Sequence, residues 1–211
     1  MRKFGRIAAA CAAVAVAAGI GLTAVPVQAA PNPGVWGESS LVVSSSVVDS
    51  LAAAGIAISA TRHSTGVPVN GGVLISFPFT MRPDVDGLTA FGGGFKFTFP
   101  GSSAKAPIKF LRPWLATCSE GACLTALDFA VNGARDQLGS DPFFVVHITS
   151  SKQHKSPHHS GYAWAFKAEV HLTSKASVVN SLNEALGANV FTPGMKIGDM
   201  RAHYGWTAKV S

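Results

Sequence analysis

Three histidines stand in one short polar stretch: His154, His158 and His159, within Ser150-Ser-Lys-Gln-His-Lys-Ser-Pro-His-His-Ser-Gly161. Neutral imidazole is the commonest ligand for zinc, nickel and copper, so these three are the candidate metal ligands. His154 and His158 have the i, i+4 spacing that aligns two ligands on a helix. Pro157 and the Ser/Gly flanks oppose a helix there, and the stretch reads as an exposed hairpin loop, mobile without a partner. With Lys152, Lys155, Lys167, His171 and Lys175 it makes a basic region that gains charge as pH falls through about 6.5. Such a surface suits an anionic polymer or membrane. Tyr162 and Tyr204 are the only tyrosines. Tyr162 with His171 or His159 is the candidate cofactor-binding pair. His203 and Tyr204 are neighbours on a predicted strand and so face opposite sides.

Hydrolytic chemistry finds little support. No Gly-x-Ser-x-Gly is present, and the serines sit in helix caps and loops, where hydroxyls serve the backbone. Asp84, Asp86, Asp128, Asp136 and Asp141 lie near Gly or Pro and read as turn formers. A carboxylate pair for glycoside hydrolysis is set by space and not by spacing, and only 11 acids are available. The chain is not expected to be an enzyme, with a secreted hydrolase as the third reading.

The first 30 residues read as an export signal. Arg2, Lys3 and Arg6 precede an apolar run from Ile7 to about Val25. Val27-Gln-Ala-Ala30 then supplies small residues for cleavage after Ala29 or Ala30. Residues 31–211 remain as one exported domain. Cleavage takes three of the 17 Lys and Arg and none of the 11 acids, so the +6 of the chain falls to about +3. That is too little for a nucleic-acid partner, which calls for a dense basic stripe. No later run is long and apolar enough to span a membrane. Of three cysteines, Cys11 leaves with the signal. Cys118 and Cys123 are spaced wrongly for a redox Cys-x-x-Cys or a metal pair. In an oxidising setting they are expected to form a disulfide at a hairpin tip, contributing about 2 kcal/mol.

The elements that must position these groups are mostly strands. Val73-Leu-Ile-Ser-Phe-Pro-Phe79 and Phe95-Lys-Phe-Thr-Phe99 alternate apolar side chains onto one face. Ile108 to Leu111, Leu124 to Phe129, Phe143 to Ile148, Tyr162 to Leu172 and Arg201 to Val210 continue the pattern. Turn residues punctuate them: Asn70-Gly, Asp86-Gly, Gly92-Gly-Gly94, Pro100-Gly, Asn132-Gly and Pro193-Gly. Two segments have helical spacing. Ser45 to Gly55 has serines at its N-cap and Gly55 for a left-handed end. Thr173 to Gly187 has Val178, Val179, Leu182 and Leu186 on one stripe. No βαβ pattern and no phosphate-loop sequence occurs. The fold class is mainly β: an antiparallel β-sandwich of roughly nine to twelve strands with two short helices.

The order of several short motifs resembles a known family. Trp36-Gly37 comes first, then Phe77-Pro-Phe79 and Gly92-Gly-Gly-Phe-Lys-Phe97. Ile108-Lys-Phe-Leu-Arg-Pro113, Leu124-Thr-Ala-Leu-Asp128, Leu172-Thr173 and Phe191-Thr-Pro-Gly194 follow. This order resembles the HtaA-type haem-transport-associated domain and related secreted bacterial proteins. The resemblance implies an exported all-β domain that binds haem through a Tyr supported by a His. The chain departs from the family at both ligands. Leu41-Val-Val-Ser44 stands where the family has its Tyr, and Phe97-Thr-Phe-Pro100 where it has its His. The expected function is therefore an exported, non-catalytic binding or surface-interaction module that requires no cofactor. Its partner would be an unidentified extracellular ligand or cell-surface component. The alternative is haem or transition-metal binding through other ligands such as Tyr162, His159 or His171.

Overall fold

A computed structural model describes residues 35–81, 89–102, 106–118, 120–131, 134–136, 142–155 and 161–207, at some positions by backbone alone. The expected signal at 1–30, and His158 and His159, lie outside these residues. In chain order the elements are β1 (Val35–Val43), α1 (Ser45–Ala53), β2 (Ala57–Ala60), β3 (Thr65–Val69), β4 (Gly72–Met81), β5 (Thr89–Phe91) and β6 (Gly94–Thr98). They continue with β7 (Ile108–Cys118), β8 (Gly121–Val131), β9 (Ala134–Asp136), β10 (Phe144–Lys155), β11 (Gly161–Leu172), α2 (Ala176–Leu186) and β12 (Lys196–Thr207). Strand neighbours run β2-β6-β7-β5-β4-β1-β12-β11-β10-β8-β9, with β3 beside β4. A further β7–β8 pairing brings the two flanks of this path together, so the sheet folds over on itself. All these pairings are antiparallel. The mainly β sandwich with two short helices read from the sequence is the architecture of the chain.

The alternating phenylalanines build the core. Phe110 of β7 stacks on Phe95 of β6 at 4.8 Å and meets Phe143 edge-on at 5.3 Å and Phe144 at 5.7 Å. A second knot forms where Phe79 of β4 and Phe91 of β5 lie 4.7 and 6.0 Å from Tyr204 of β12. The stripe of α2 buries Val179, Leu182 and Leu186, and Gly187 closes that helix in the left-handed region at φ 68°. Beyond it, buried Asn183 stands in for a neighbouring strand. Its amide donates to Phe191 O (2.8 Å) and accepts from the N–H groups of Val190 (3.2 Å) and Phe191 (3.0 Å).

Three expectations change. The stretch from Ser150 to Lys155 is not loop: it is the outer half of β10, paired with β11 from Lys167 back to Tyr162. Its sequence lacks alternation because every residue from His147 to Lys155 is exposed, which leaves no buried face to impose a period of two. Ser44 occupies the N-cap of α1, but its hydroxyl meets the Ser46 hydroxyl (3.2 Å) and caps no backbone N–H. Finally, β1 is a central strand, pairing with both β12 and β4, although only Leu41 to Val43 look like strand. Its inward positions include Ser39, fully buried, and at exposed Gly37 (φ 104°) a Cβ would strike the His203 carbonyl. Small residues let the flanking backbones close in, and they hide the alternation.

Candidate functional site

The sequence nominated two groups of residues; β10 carries His154 of the first, and β11 carries Tyr162 and His171 of the second. Tyr162 opens β11 and His171 closes it. Nine residue steps of strand separate them, about 30 Å at 3.3–3.4 Å per residue, so one iron cannot take both. Both ring nitrogens of His171 are engaged: Nδ1 lies 3.1 Å from Gly194 O and Nε2 3.3 Å from Glu169 Oε2. Tyr162 has only its backbone described. His154 lies exposed on β10, stacked at 5.8 Å on His203 of β12, which in turn meets Trp36 edge-on at 5.2 Å. Ala163 and Ala165 of β11 lie between β10 and β12, and their small side chains let the rings reach across. Tyr204 faces the other way, as alternation required, and is buried among Phe79, Phe91 and Phe166. The basic region divides: Lys152, Lys155 and Lys167 lie along the outer half of the β10–β11 ribbon, while His171 lies near its other end and Lys175 beyond it.

Around His171 the charges form a chain. Its ring lies 4.8 Å from that of His147, and Glu169 accepts from Lys196 Nζ (2.8 Å), which also reaches Asp199 (2.9 Å). The Lys196 hydrogen bond first, and His171 second, hold the Glu169 carboxyl below its ordinary 4.5. Glu169 and Asp199 in turn raise Lys196. A carboxyl lowered in the folded state gives stability that is present above its unfolded pKa and lost as pH falls through the folded value. Glu169→Gln is therefore expected to lower Tm at about pH 7 but not at about pH 3. Melting curves across that range test it, and an equal gap at both ends would refute it.

Cys123 is buried, and the β7–β8 register sets Cys118 opposite Gly121 and Ala116 opposite Cys123. The two cysteine positions thus lie two residue pairs apart, on a diagonal between adjoining strands. The Cys118 side chain lies outside the described residues. At the tip of this hairpin Glu120 accepts from the Thr173 hydroxyl (2.6 Å) and the Ser174 N–H (3.2 Å), tying the hairpin to the start of α2.

A concavity among the described residues lies elsewhere, and none of the nominated residues lines it. The turn after β2 is fastened to Gly93 and Gly94, just ahead of and at the start of β6. Thr61 N–H donates to Gly94 O (3.0 Å), Gly94 N–H to Ser64 Oγ (2.6 Å), and Arg112 N–H to Gly93 O (2.6 Å). Gly94 has φ 149° and no room for a Cβ, which would strike the Phe110 carbonyl. His63 and Arg112 are held in the left-handed region at φ 70° and 52°, a conformation that costs a non-glycine residue on the order of 1 kcal/mol or more. The cleft so formed, about 430 Å³, is walled by Thr61, Arg62 and His63 on one side and by Lys96, Lys109 and Arg112 on the other. That volume is within the range of small-molecule sites. The sequence signal was faint: Phe95-Lys96-Phe97 and Ile108-Lys109-Phe110 each put one lysine outward between two core residues.

Comparison of the whole chain with solved structures finds the C-terminal domain of HtaA from Corynebacterium glutamicum at TM-score 0.52 and 15% identity, covering 81% of this chain and 98% of that one. The fold is Hta-like. The heme binding protein HtaB from Corynebacterium glutamicum is similar at TM-score 0.51 and 10% identity, covering 81% of this chain and 93% of that one. No protein-family model and no curated protein sequence matches the chain. On this Hta-like frame, the segment where the motif resemblance expects a tyrosine runs from buried Leu41 through Val43 to the start of α1, and the segment where it expects a histidine begins at buried Phe97. Those residues offer iron no ligand, so the site does not fit haem in the manner the resemblance implies.

Proposed function

We propose that this chain is an exported, non-catalytic binding module with an Hta-like fold. The single observation that carries the reading is the cleft between the β2–β3 turn, β6 and β7. It is a built concavity of about 430 Å³ on a frame shared with a protein described as heme binding. Among the described residues no helix is long and apolar enough to cross a membrane. The leader at 1–30 supports export, and the partner is then an extracellular small molecule or cell-surface component. Oxidising surroundings would join Cys118 to Cys123. N-terminal sequencing of the exported protein is expected to begin at Ala30 or Pro31, and an intact Met1 would refute the leader.

Haem binding is the second reading, favoured by the likeness to HtaB. It requires an iron ligand outside the positions the family pattern supplies, and Tyr162 is the remaining tyrosine, since Tyr204 is packed in the core. Haemin titration of the purified protein is expected to give no shifted Soret band at stoichiometric haem. A saturable shift that Tyr162→Phe removes would put haem in place of an unidentified ligand. Transition-metal binding would start from His154, which His203 now joins.

A further inference from the structure

The cleft has a charge pattern that folding by itself disfavours. The β6–β7 register places Lys96 directly opposite Lys109, and like charges at opposed positions of an antiparallel pair are destabilising. Neither lysine makes an ion pair among the described residues, and neither does Arg62. Arg112 and His63 complete the wall, and no acid is among the described lining residues. The Thr61 hydroxyl is buried there with no hydrogen-bond partner among the described residues. Such a group costs stability unless something bonds it. The positive φ values at His63 and Arg112 add strain at the same place, where functional sites commonly store it. Repulsion, an unspent polar group and backbone strain thus converge on one concavity.

We propose that this cleft binds a small polyanion carrying two or more carboxylate or phosphate groups, with Lys96 and Lys109 bridged by one anionic group and Arg62 and Arg112 closing on another. The proposal rests on the reading of the chain as a binding module and names its ligand class. A bridging oxyanion turns the Lys96–Lys109 repulsion into two charge-assisted contacts. The outward lysines of the two strands then do what the inward phenylalanines beside them cannot. Phe95, Phe97, Ile108 and Phe110 are all buried beneath the cleft floor, so the ligand-binding face rests on a rigid core. Little reorganisation is needed when the ligand arrives.

Calorimetric titration of the purified protein with citrate and, separately, with pyrophosphate at fixed ionic strength tests this. Saturable one-site binding of at least one probe is expected, and the preferred probe tells carboxylate from phosphate chemistry. Lys96→Glu, which puts an acid opposite Lys109, is expected to weaken binding at least tenfold while melting at or above the wild-type temperature. Lys109→Gln is expected to weaken it in the same direction and serves as the second variant if the first fails to fold. Lys152→Gln on the β10–β11 ribbon is expected to change affinity less than twofold. Absence of saturation with both probes, or wild-type affinity in a folded Lys96→Glu or Lys109→Gln, overturns the proposal. A stoichiometric haemin shift without polyanion binding would remove the polyanion and keep the binding module. Silence toward haemin with intact polyanion binding would remove only the haem reading.

Discussion

Phe110→Ala is expected to destabilise the protein by about 4 kcal/mol, the range for emptying a buried phenylalanine site. Its ring is 2% exposed and its ring contacts include Phe95 stacked, Phe97 and Phe143 edge-on, and Phe144 tilted. Those partners come from β6, from β10 and from the residue preceding β10, which are fixed by separate hydrogen-bond ladders and so cannot collapse into the hole. The loss should appear as a fall in Tm of about 8–16 °C, at 2–4 °C per kcal/mol for a chain of this size. Phe110→Leu keeps most of the volume and should recover more than half of it. The effect reaches the cleft as well, because Lys109 and Leu111 flank Phe110 on β7 and the Phe110 carbonyl abuts Gly94. Urea denaturation of the two variants gives the energies directly. A Phe110→Ala cost under about 1 kcal/mol would mean the core is looser than the ring geometry requires.

Asn183→Ala should cost about 3 kcal/mol, for a different reason. The side chain is 7% exposed and satisfies two N–H groups and one carbonyl in the segment that follows α2. Removing it leaves Val190 N–H, Phe191 N–H and Phe191 C=O without their partner, each worth about 1–3 kcal/mol when buried, with incomplete additivity. Asn183→Leu refills the space with apolar volume and is expected to be about as destabilised as Asn183→Ala. That equality separates lost hydrogen bonding from lost packing. If the leucine variant matched wild type in Tm, the three bonds would carry no net stability. Loosening here should also raise amide exchange at Phe191, whose ring packs at 6.1 Å on Phe97, before it affects β1 or β12.

Much of the fold was legible because strands and helices write their buried faces locally. Val73 to Phe79 and Phe95 to Phe99 announce β4 and β6 by alternation, and Gly187 announces the end of α2 by the one conformation it tolerates better than other residues. The opposed directions of His203 and Tyr204 followed from the strand period alone. β1 was missed because Ser39 occupies a buried position that apolar residues usually hold and Gly37 interrupts the apolar alternation. The outer half of β10 was read as loop because a strand with no buried residue has no pattern to show. The candidate site suffered more. Tyr162 and His171 looked compatible as names in one strand, and the length of β11 parts them. His154 gained His203, nearly fifty residues away, only because β10, β11 and β12 pair in sequence.

By itself, then, the order of residues determined most of the segments that become strands, which side of those is apolar, and where the helices stop. Only the tertiary structure decided which outward residues meet. Lys96 faces Lys109 because the β6–β7 register sets them opposite, and Thr61 joins them because the β2–β3 turn is fastened to Gly93 and Gly94. The physical reason lies in range. Periodicity is a property of neighbours along the chain and is fixed by backbone geometry. A binding cleft is a property of neighbours across it, fixed by register, closure of the sheet and the packing of a core that no single segment contains.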